Sequence, residues 1–506
     1  MGHYDNVKGL NVGRSVFDLS YSKLLTCDFG QLIPVMVDEV YPGDRWDIGH
    51  QMVVRMNPLV SPVMHEINAS IHTFFVPNRI VYDKWEDTIT GGVDGKYDED
   101  ANPLPRWEPT DTAVGSLWDY FGFPVGVDPD GAYPLDFPKR GYNKIWNEFY
   151  RDINTMAEID IETSEDVLKR CWQKDYFASA LPFQQRGEDL AVPLSGTTHA
   201  DFTPVVTGTI GASATQALQA LTTNVLGTGN GTYNANAIAA LNKNIVDFAD
   251  AGTFDVSDLR NLFAMQKWHE RNARCGPRYT EQLKAHYGVS NGDDRLQRPE
   301  YIGGVKFPVV VSEVLQTSST VAGSPQGNMA GHGLTAGSGR DGSYRVTEHG
   351  WIISILSIMP VPMYSQGIDR QFLRRSRYDY YFPEFQNLSE QAIERAEIFA
   401  NGTPADNQTV FGYQGRYDEL RTKRNLVCGL FRTDLDHWHL GREFASYPEL
   451  NGDFLEMDAT TSGASNPYKR IFAVPAEPGF IVHVANIIKA ARPISISHEP
   501  GLIDHM

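Results

Sequence analysis

Alternation of apolar and polar positions is clearest near the start of the chain. Ile67, Ala69, Ile71 and Thr73 alternate with Asn68, Ser70 and His72, the two-residue period of a strand with one buried face. The same pattern predicts strands within 24–40, closed by the turn Tyr41-Pro42-Gly43-Asp44, and over 46–56, ended by Asn57-Pro58. Comparable runs recur only much later, at 308–315, 350–359 and 479–490. Strands divided between the two ends of a chain predict a sheet closed by non-local pairing. The segments between them are then long excursions from that sheet.

The excursions carry the helical signals. A helix is expected over 146–159. A better one spans 258–272, with Leu259, Leu262, Phe263 and Gln266 on one stripe and Ser257 or Asp255 as N-cap. Residues 277–287 follow, with Pro277 at the first turn and Gly288 as the C′ residue. Asn387 and Glu390 fit an N-cap and its N3 partner for a helix over 387–400. Residues 91–143 are rich in Gly, Pro, Asp and Tyr and read as irregular, with one short helix at 116–120. Residues 318–342 hold seven glycines and read as a mobile surface loop.

Residues 195–255 differ from their surroundings, being dominated by Ala, Thr, Gly and Asn. Two short amphipathic stretches, Leu218 to Leu226 and Ile238 to Ile245, flank the tip Gly227-Thr228-Gly229-Asn230-Gly231. Helices with so weak an apolar face need a neighbour, and an identical subunit is the simplest one. The chain thus divides into core strands with insertion loops at 1–194, a variable insertion at 195–255, and the rest of the core with its loops at 256–506.

Composition sharpens the class. With 506 residues the chain is too long for one simple core, and 41% hydrophobic residues exclude global disorder. Gly and Pro number 45 and 29, against only 21% charged residues, which favours a turn-rich β protein over a helical bundle. The formal net charge of −19 argues against a protein that coats nucleic acid with its own positive charge. Cys27, Cys171, Cys275 and Cys428 lie far apart and are expected to be buried thiols. The N-terminus lacks a basic region followed by an apolar one, and the most apolar run, 351–363, is interrupted by Pro360 and Pro362. These features point to a reducing cytosol, or to release by lysis.

Catalytic signatures are missing where they would be informative. No P-loop or GxSxG elbow occurs, and the GxGxxG match at Gly337, Gly339 and Gly342 is not placed between a strand and a helix. His65-Glu66 and His269-Glu270 lack the second His of a zinc protease, having Ala69 and Ala273 there. His437 and His439 could share a face, but no third ligand is indicated, so neither metal nor cofactor is expected. The acidic runs at 98–100, 158–162 and 293–294 read as solvated faces. One basic cluster stands out. Arg370, Arg374, Arg375 and Arg377 precede Tyr378, Tyr380, Tyr381 and Phe382, a composition suited to contact with single-stranded nucleic acid. The plainer alternative is that these arginines pair with carboxylates to anchor a loop or a subunit contact.

Several longer runs resemble a known family. Phe17-Asp18-Leu19-Ser20, 25–35, and Glu39-Val40-Tyr41-Pro42-Gly43-Asp44 are similar to the opening of microvirus major capsid proteins of the gokushovirus group. So are Phe74-Phe75-Val76-Pro77-Asn78-Arg79 with Trp85-Glu86, then 296–304, 308–318 and Tyr380-Tyr381-Phe382-Pro383-Glu384-Phe385. The likeness runs in order from about residue 15 to the C-terminus, and over 195–255 it is one of position and composition only. It implies a mainly β chain, an eight-stranded antiparallel jelly roll with long loop and short-helix insertions. It further implies a non-enzymatic structural role, self-assembly into a T=1 icosahedral shell around circular single-stranded DNA, and a place in the virion after assembly in the host cytoplasm. The implied partners are further copies of the chain, the genome, a small basic packaging protein, a minor pilot protein, an internal scaffold and a bacterial receptor, with no membrane insertion. By the same resemblance, 195–255 projects at three-fold axes. The small, uncharged composition of its tip, 227–231, suits a variable contact for host recognition, and the arginine cluster is a candidate interior DNA contact by its own composition. The competing reading is a carbohydrate-binding or carbohydrate-active β-sandwich with Trp and paired acids in a cleft.

Overall fold

The computed structural model describes residues 13–92, 97–98, 100–187, 256–275, 297–315, 329–388, 390–459 and 466–496. Its strands are β1 (Ser15–Asp18), β2 (Tyr21–Cys27), β3 (Ile33–Val40), β4 (Arg45–Met56), β5 (Ile67–Pro77), β6 (Glu300–Leu315), β7 (Met329–Arg345), β8 (Gly350–Pro360), β9 (Gln391–Glu394), β10 (Val410–Gln414) and β11 (Phe480–Arg492). Two compact units are present, one formed by Met1–Gln184 with Val289–Met506 and the other by Gln185–Gly288.

The first unit is built on an antiparallel sheet that curls on itself. One run is ordered β2–β11–β4–β7 and the other β3–β8–β5–β6. Pairing of β6 with β7, from Val310↔Leu334 to Leu315↔Met329, joins the two runs along one edge. Strands from both ends of the chain thus interleave in the order of an eight-stranded antiparallel jelly roll. The short β1 adds to β11, from Ser15↔Arg492 to Asp18↔Lys489.

The period-2 pattern explains the core. Leu25 and Cys27 of β2, Met52, Val54 and Met56 of β4, and Val482 and Val484 of β11 face inward. They meet Ile67, Ala69 and Ile71 of β5, Leu356 and Ile358 of β8, and Val305 and Val309 of β6 in one cluster. Each such Val, Leu, Ile or Met side chain contributes about 1.5–3 kcal/mol on leaving water. Strand β8 is buried on both faces, which accounts for an apolar run interrupted only by the buried Ser354 and Ser357. On its other face Ile353 and Ile355, with Phe74 and Val76 of β5, pack against Trp107, Trp118, Tyr142 and Trp146 of the excursion that follows β5.

Four expectations are corrected. Of the stretch 318–342, expected to be a mobile loop, the described residues 329–342 belong to the long strand β7. Its inward-facing positions are mostly glycine because neighbouring side chains fill the space. A Cβ on Gly337 would sit 2.4 Å from the Phe307 ring, and one on Gly333 2.3 Å from Met56 Sδ. The helix expected over 146–159 instead begins earlier, as Phe137–Ile145, and ends in a π turn, Trp146–Tyr150. Pro138 opens its first turn, and the Arg140 and Lys139 side chains return to Asp136 at 2.7 and 3.1 Å. The helix expected over 387–400 is divided into β9, which pairs with β10, and one helical turn, Arg395–Ile398. Of the cysteines, Cys27 is buried, but Cys171 is half-buried and Cys428 exposed.

In the second unit the helix Val256–Cys275 covers the expected 258–272 and extends beyond it at both ends. The Cys275 side chain lies outside what the structure describes. The expected helix at 277–287 and the tip at 227–231 lie outside the described residues. Among the described residues no helix is long and apolar enough to cross a membrane.

Candidate functional site

The four arginines singled out in the sequence lie in a segment of single turns beside β9. Asp369 caps the turn Arg370–Phe372, its carboxylate accepting the Gln371 N–H at 3.0 Å. Ser376 caps Arg377–Asp379, and Asp379 returns its carboxylate to the N–H groups of Ser376 and Arg375, both at 2.7 Å. Those two bonds hold the Asp379 carboxyl below its ordinary range even though burial works the other way.

Three of the guanidinium groups are engaged by carboxylates of the same chain. Arg370 Nη1 donates to Glu397 Oε1 and to the Ala392 carbonyl, both at 2.8 Å. Glu397 is 1% exposed and also accepts from the Tyr176 hydroxyl at 3.0 Å. Burial pushes the Glu397 carboxyl up, and Arg370 opposes that shift. Arg374 Nη2 reaches the buried Glu419 at 2.8 Å, and Gln391 donates to the other oxygen of that carboxylate at 3.2 Å. Arg375 makes a two-pronged pair with Glu394, at 2.7 and 2.6 Å. Arg377 alone of the four has no acid partner among the described residues; it lies over the Tyr378 ring at 4.8 Å and donates to its hydroxyl at 2.7 Å.

The cluster is a closed one. The space among Arg370, Glu397, Glu419 and Arg424 measures about 20 Å³, enough for one water and no more. Glu394, Glu397 and Glu419 bring as many negative charges as Arg370, Arg374 and Arg375 bring positive ones. The geometry therefore anchors the turns to β9 and leaves Arg377, Tyr378 and Tyr380 facing solvent, with Tyr380 61% exposed.

The other residues considered in the sequence are dispersed. His439 donates from Nε2 to the Phe431 carbonyl at 2.6 Å and accepts the Gly441 N–H at Nδ1 at 2.9 Å, so both its nitrogens are used within its own loop. His437 lies beside Asp436 at 3.5 Å. Among the described residues no group of three His, Cys, Asp or Glu is arranged to hold a metal. Trp107, Trp118, Trp146 and Trp172 are buried anchors, as where Trp107 meets Trp118 edge-on at 5.1 Å, whereas Trp268 is exposed.

A feature that sequence reading missed lies on the outward face of β5. There Asn68, Ser70, His72 and Phe74 line a groove of about 690 Å³ together with residues from 149–174, the start of β6 and the end of β8. The only sequence signal was the polar half of the β5 alternation, Asn68, Ser70 and His72, which marked an outward face without showing what stands over it.

Comparison with known proteins bears on the whole chain. The family described as capsid protein (F protein) matches residues 5–502. Capsid protein VP1 of Chlamydia phage 1 is 33% identical, covering 99% of this chain and 97% of its own. VP1 of Bdellovibrio phage phiMH2K is 32% identical over 90% of each chain, and VP1 of Spiroplasma virus 4 is 30% identical over 89% of each.

Proposed function

The chain belongs to the capsid protein (F protein) family, and on that premise we propose that its copies close into a T=1 icosahedral shell around circular single-stranded DNA. The observation that carries this reading is the match to viral VP1 proteins along almost the full length of both partners. A jelly roll with long excursions suits the role: the barrel supplies a rigid wall element, and the excursions supply surface for neighbours. Symmetry then repeats each contact until the shell closes, so modest interfaces suffice together. The role is one of association and not of catalysis, and a protein of this kind is a component of the virion. Nothing favours the carbohydrate-specific alternative.

The finer partners follow from the same premise. With a net charge of −19, this chain leaves most neutralisation of the genome to another, basic polypeptide. A pilot protein and an internal scaffold complete the assembly in the host cytoplasm, and 195–255, with its tip at 227–231, serves host recognition at the three-fold axes. Any contact of the 370–377 segment with DNA falls to Arg377 and Tyr378, since Arg370, Arg374 and Arg375 already hold carboxylates. Sedimentation and negative-stain microscopy of the full chain expressed with its viral genome test the reading. Closed particles of uniform diameter support it; a chain that stays monomeric throughout counts against it. Deleting 227–231 while particles remain intact is expected to abolish adsorption to the host, and unchanged adsorption contradicts the assignment of the tip.

A further inference from the structure

We propose that the groove on the outward face of β5 is a binding site for single-stranded nucleic acid, with bases stacked on Phe149 and Tyr301 and phosphates held by Arg170 and Lys306. The proposal rests on the reading of the chain as a genome-enclosing shell, and it names where on the subunit the strand is gripped.

The lining carries the argument. Phe74, Phe149, Tyr150, Trp172 and Tyr301 supply aromatic surface, and Arg170, Lys174 and Lys306 supply positive charge. None of the lining residues is an Asp or a Glu, in a chain that holds 63 of them against 44 Lys and Arg. So acid-free a concavity in so acidic a protein selects an anion. Rings beside cations select an anion that carries flat groups, which is the chemistry of a nucleotide strand.

The cations differ in availability. Lys174 is paired with Asp152. Arg170 has no carboxylate partner among the described residues. Its Nη1 donates to the hydroxyls of Ser70 and Ser357 at 2.7 and 2.6 Å, which orient the guanidinium without neutralising it. Lys306 lies on the same outward face of β6, exposed and without an ion pair among the described residues. Neither charge is matched by a carboxylate among the described residues, so both are available to an anion in the groove.

The rings are fixed in place. His72 stacks on Tyr150 at 6.0 Å and accepts or donates a hydrogen bond to its hydroxyl at 2.9 Å. Phe74 meets Phe149 at 4.8 Å and Tyr301 at 5.4 Å. Phe149 and Tyr301 are 38% and 49% exposed, so each offers a free ring surface. At about 690 Å³ the groove falls within the roughly 300–1,000 Å³ of small-ligand sites, room for a nucleotide or two.

Two measurements on the full chain test the proposal. The first is binding of a fluorescent oligo-dT across a salt series. Tyr301→Ala and Phe149→Ala are each expected to weaken binding about five- to a hundredfold, and Lys306→Gln to reduce the slope of log K against log salt by about 0.7. These positions are exposed, so the variants fold; Arg170→Gln is avoided because it would also strip Ser70 and Ser357 of their partner. Unchanged binding in all three variants overturns the proposal, as does a loss found only in Arg377→Ala. The second is photo-crosslinking of bromodeoxyuridine-substituted genome in assembled particles, where adducts are expected in peptides containing Phe149 or Tyr301. Particles of normal genome content with adducts only elsewhere overturn the groove while sparing the capsid reading. Failure to form particles at all strikes the capsid reading instead.

Discussion

His50 Nε2 lies 3.1 Å from Asp341 Oδ2, and neither side chain has any exposed surface. On its other side His50 Nδ1 meets Asn486 Oδ1 at 2.9 Å, while Asn486 donates to the Val35 carbonyl at 3.0 Å. The Asp341 carboxylate also takes the Thr73 hydroxyl, which is 2.7 Å from that of Ser354. This polar chain ties β3, β4, β5, β7, β8 and β11 together through the barrel. Removing one member strands the others in a dry interior, so Asp341→Ala is expected to cost about 3–5 kcal/mol in urea unfolding of the unassembled subunit. A loss under about 1 kcal/mol contradicts that account.

Stability is expected to fall between pH 6.5 and 4. Burial pushes the imidazoles of His65 and His72 down to about 4 from the ordinary 6.5, so both are held neutral in the folded chain. Within that window the unfolded chain takes up protons that the folded chain refuses, and each drop in pH favours unfolding. Each histidine contributes up to about 3 kcal/mol across the window. Denaturation midpoints of His65→Gln and His72→Gln, measured from pH 7 to pH 4, should each decline less steeply than the parent. Parallel curves rule the effect out.

The arginines of the 370–377 segment are expected to separate by burial. Arg370→Ala leaves Glu397 charged and enclosed, and should cost about 3–5 kcal/mol. Arg377→Ala disturbs only a surface contact with Tyr378 and should stay within about 0.5 kcal/mol. Thermal melts of the two variants decide the matter. Equal effects would show that Glu397 finds another partner.

Gly337→Ala tests why β7 is built from glycine. The new methyl would press into the Phe307 ring, and an overpacking cost of about 1–3 kcal/mol is expected. Ser338→Ala, on the outward face of the same strand, should be nearly neutral. A neutral Gly337→Ala would mean that the ring moves aside freely.

These cases show what the sequence could and could not convey. Strand β5 was legible because Ile67, Ala69 and Ile71 stamp a two-residue period on it, and β8 because it is apolar at nearly every position. Strand β7 was not, since glycines at 331, 333, 337 and 339 leave its inward face without side chains for any periodicity to register. The helix Phe137–Ile145 was hidden by Pro138, which reads as a loop residue until Asp136 is seen gathering Lys139 and Arg140. The arginine cluster was visible as composition, but its partners Glu394, Glu397 and Glu419 come from 19 to 45 residues away along the chain. The β5 groove draws Phe149, Arg170, Tyr301 and Lys306 from segments that only the closed sheet brings together.

The central claim is that these barrels act only in company. Cryo-electron microscopy of particles from cells carrying this chain with its whole viral genome tests it most directly. The account predicts icosahedral shells with a single copy of the jelly roll in each asymmetric unit and DNA density inside. Shells of a different copy number, or density in which this chain forms no continuous wall, would contradict it.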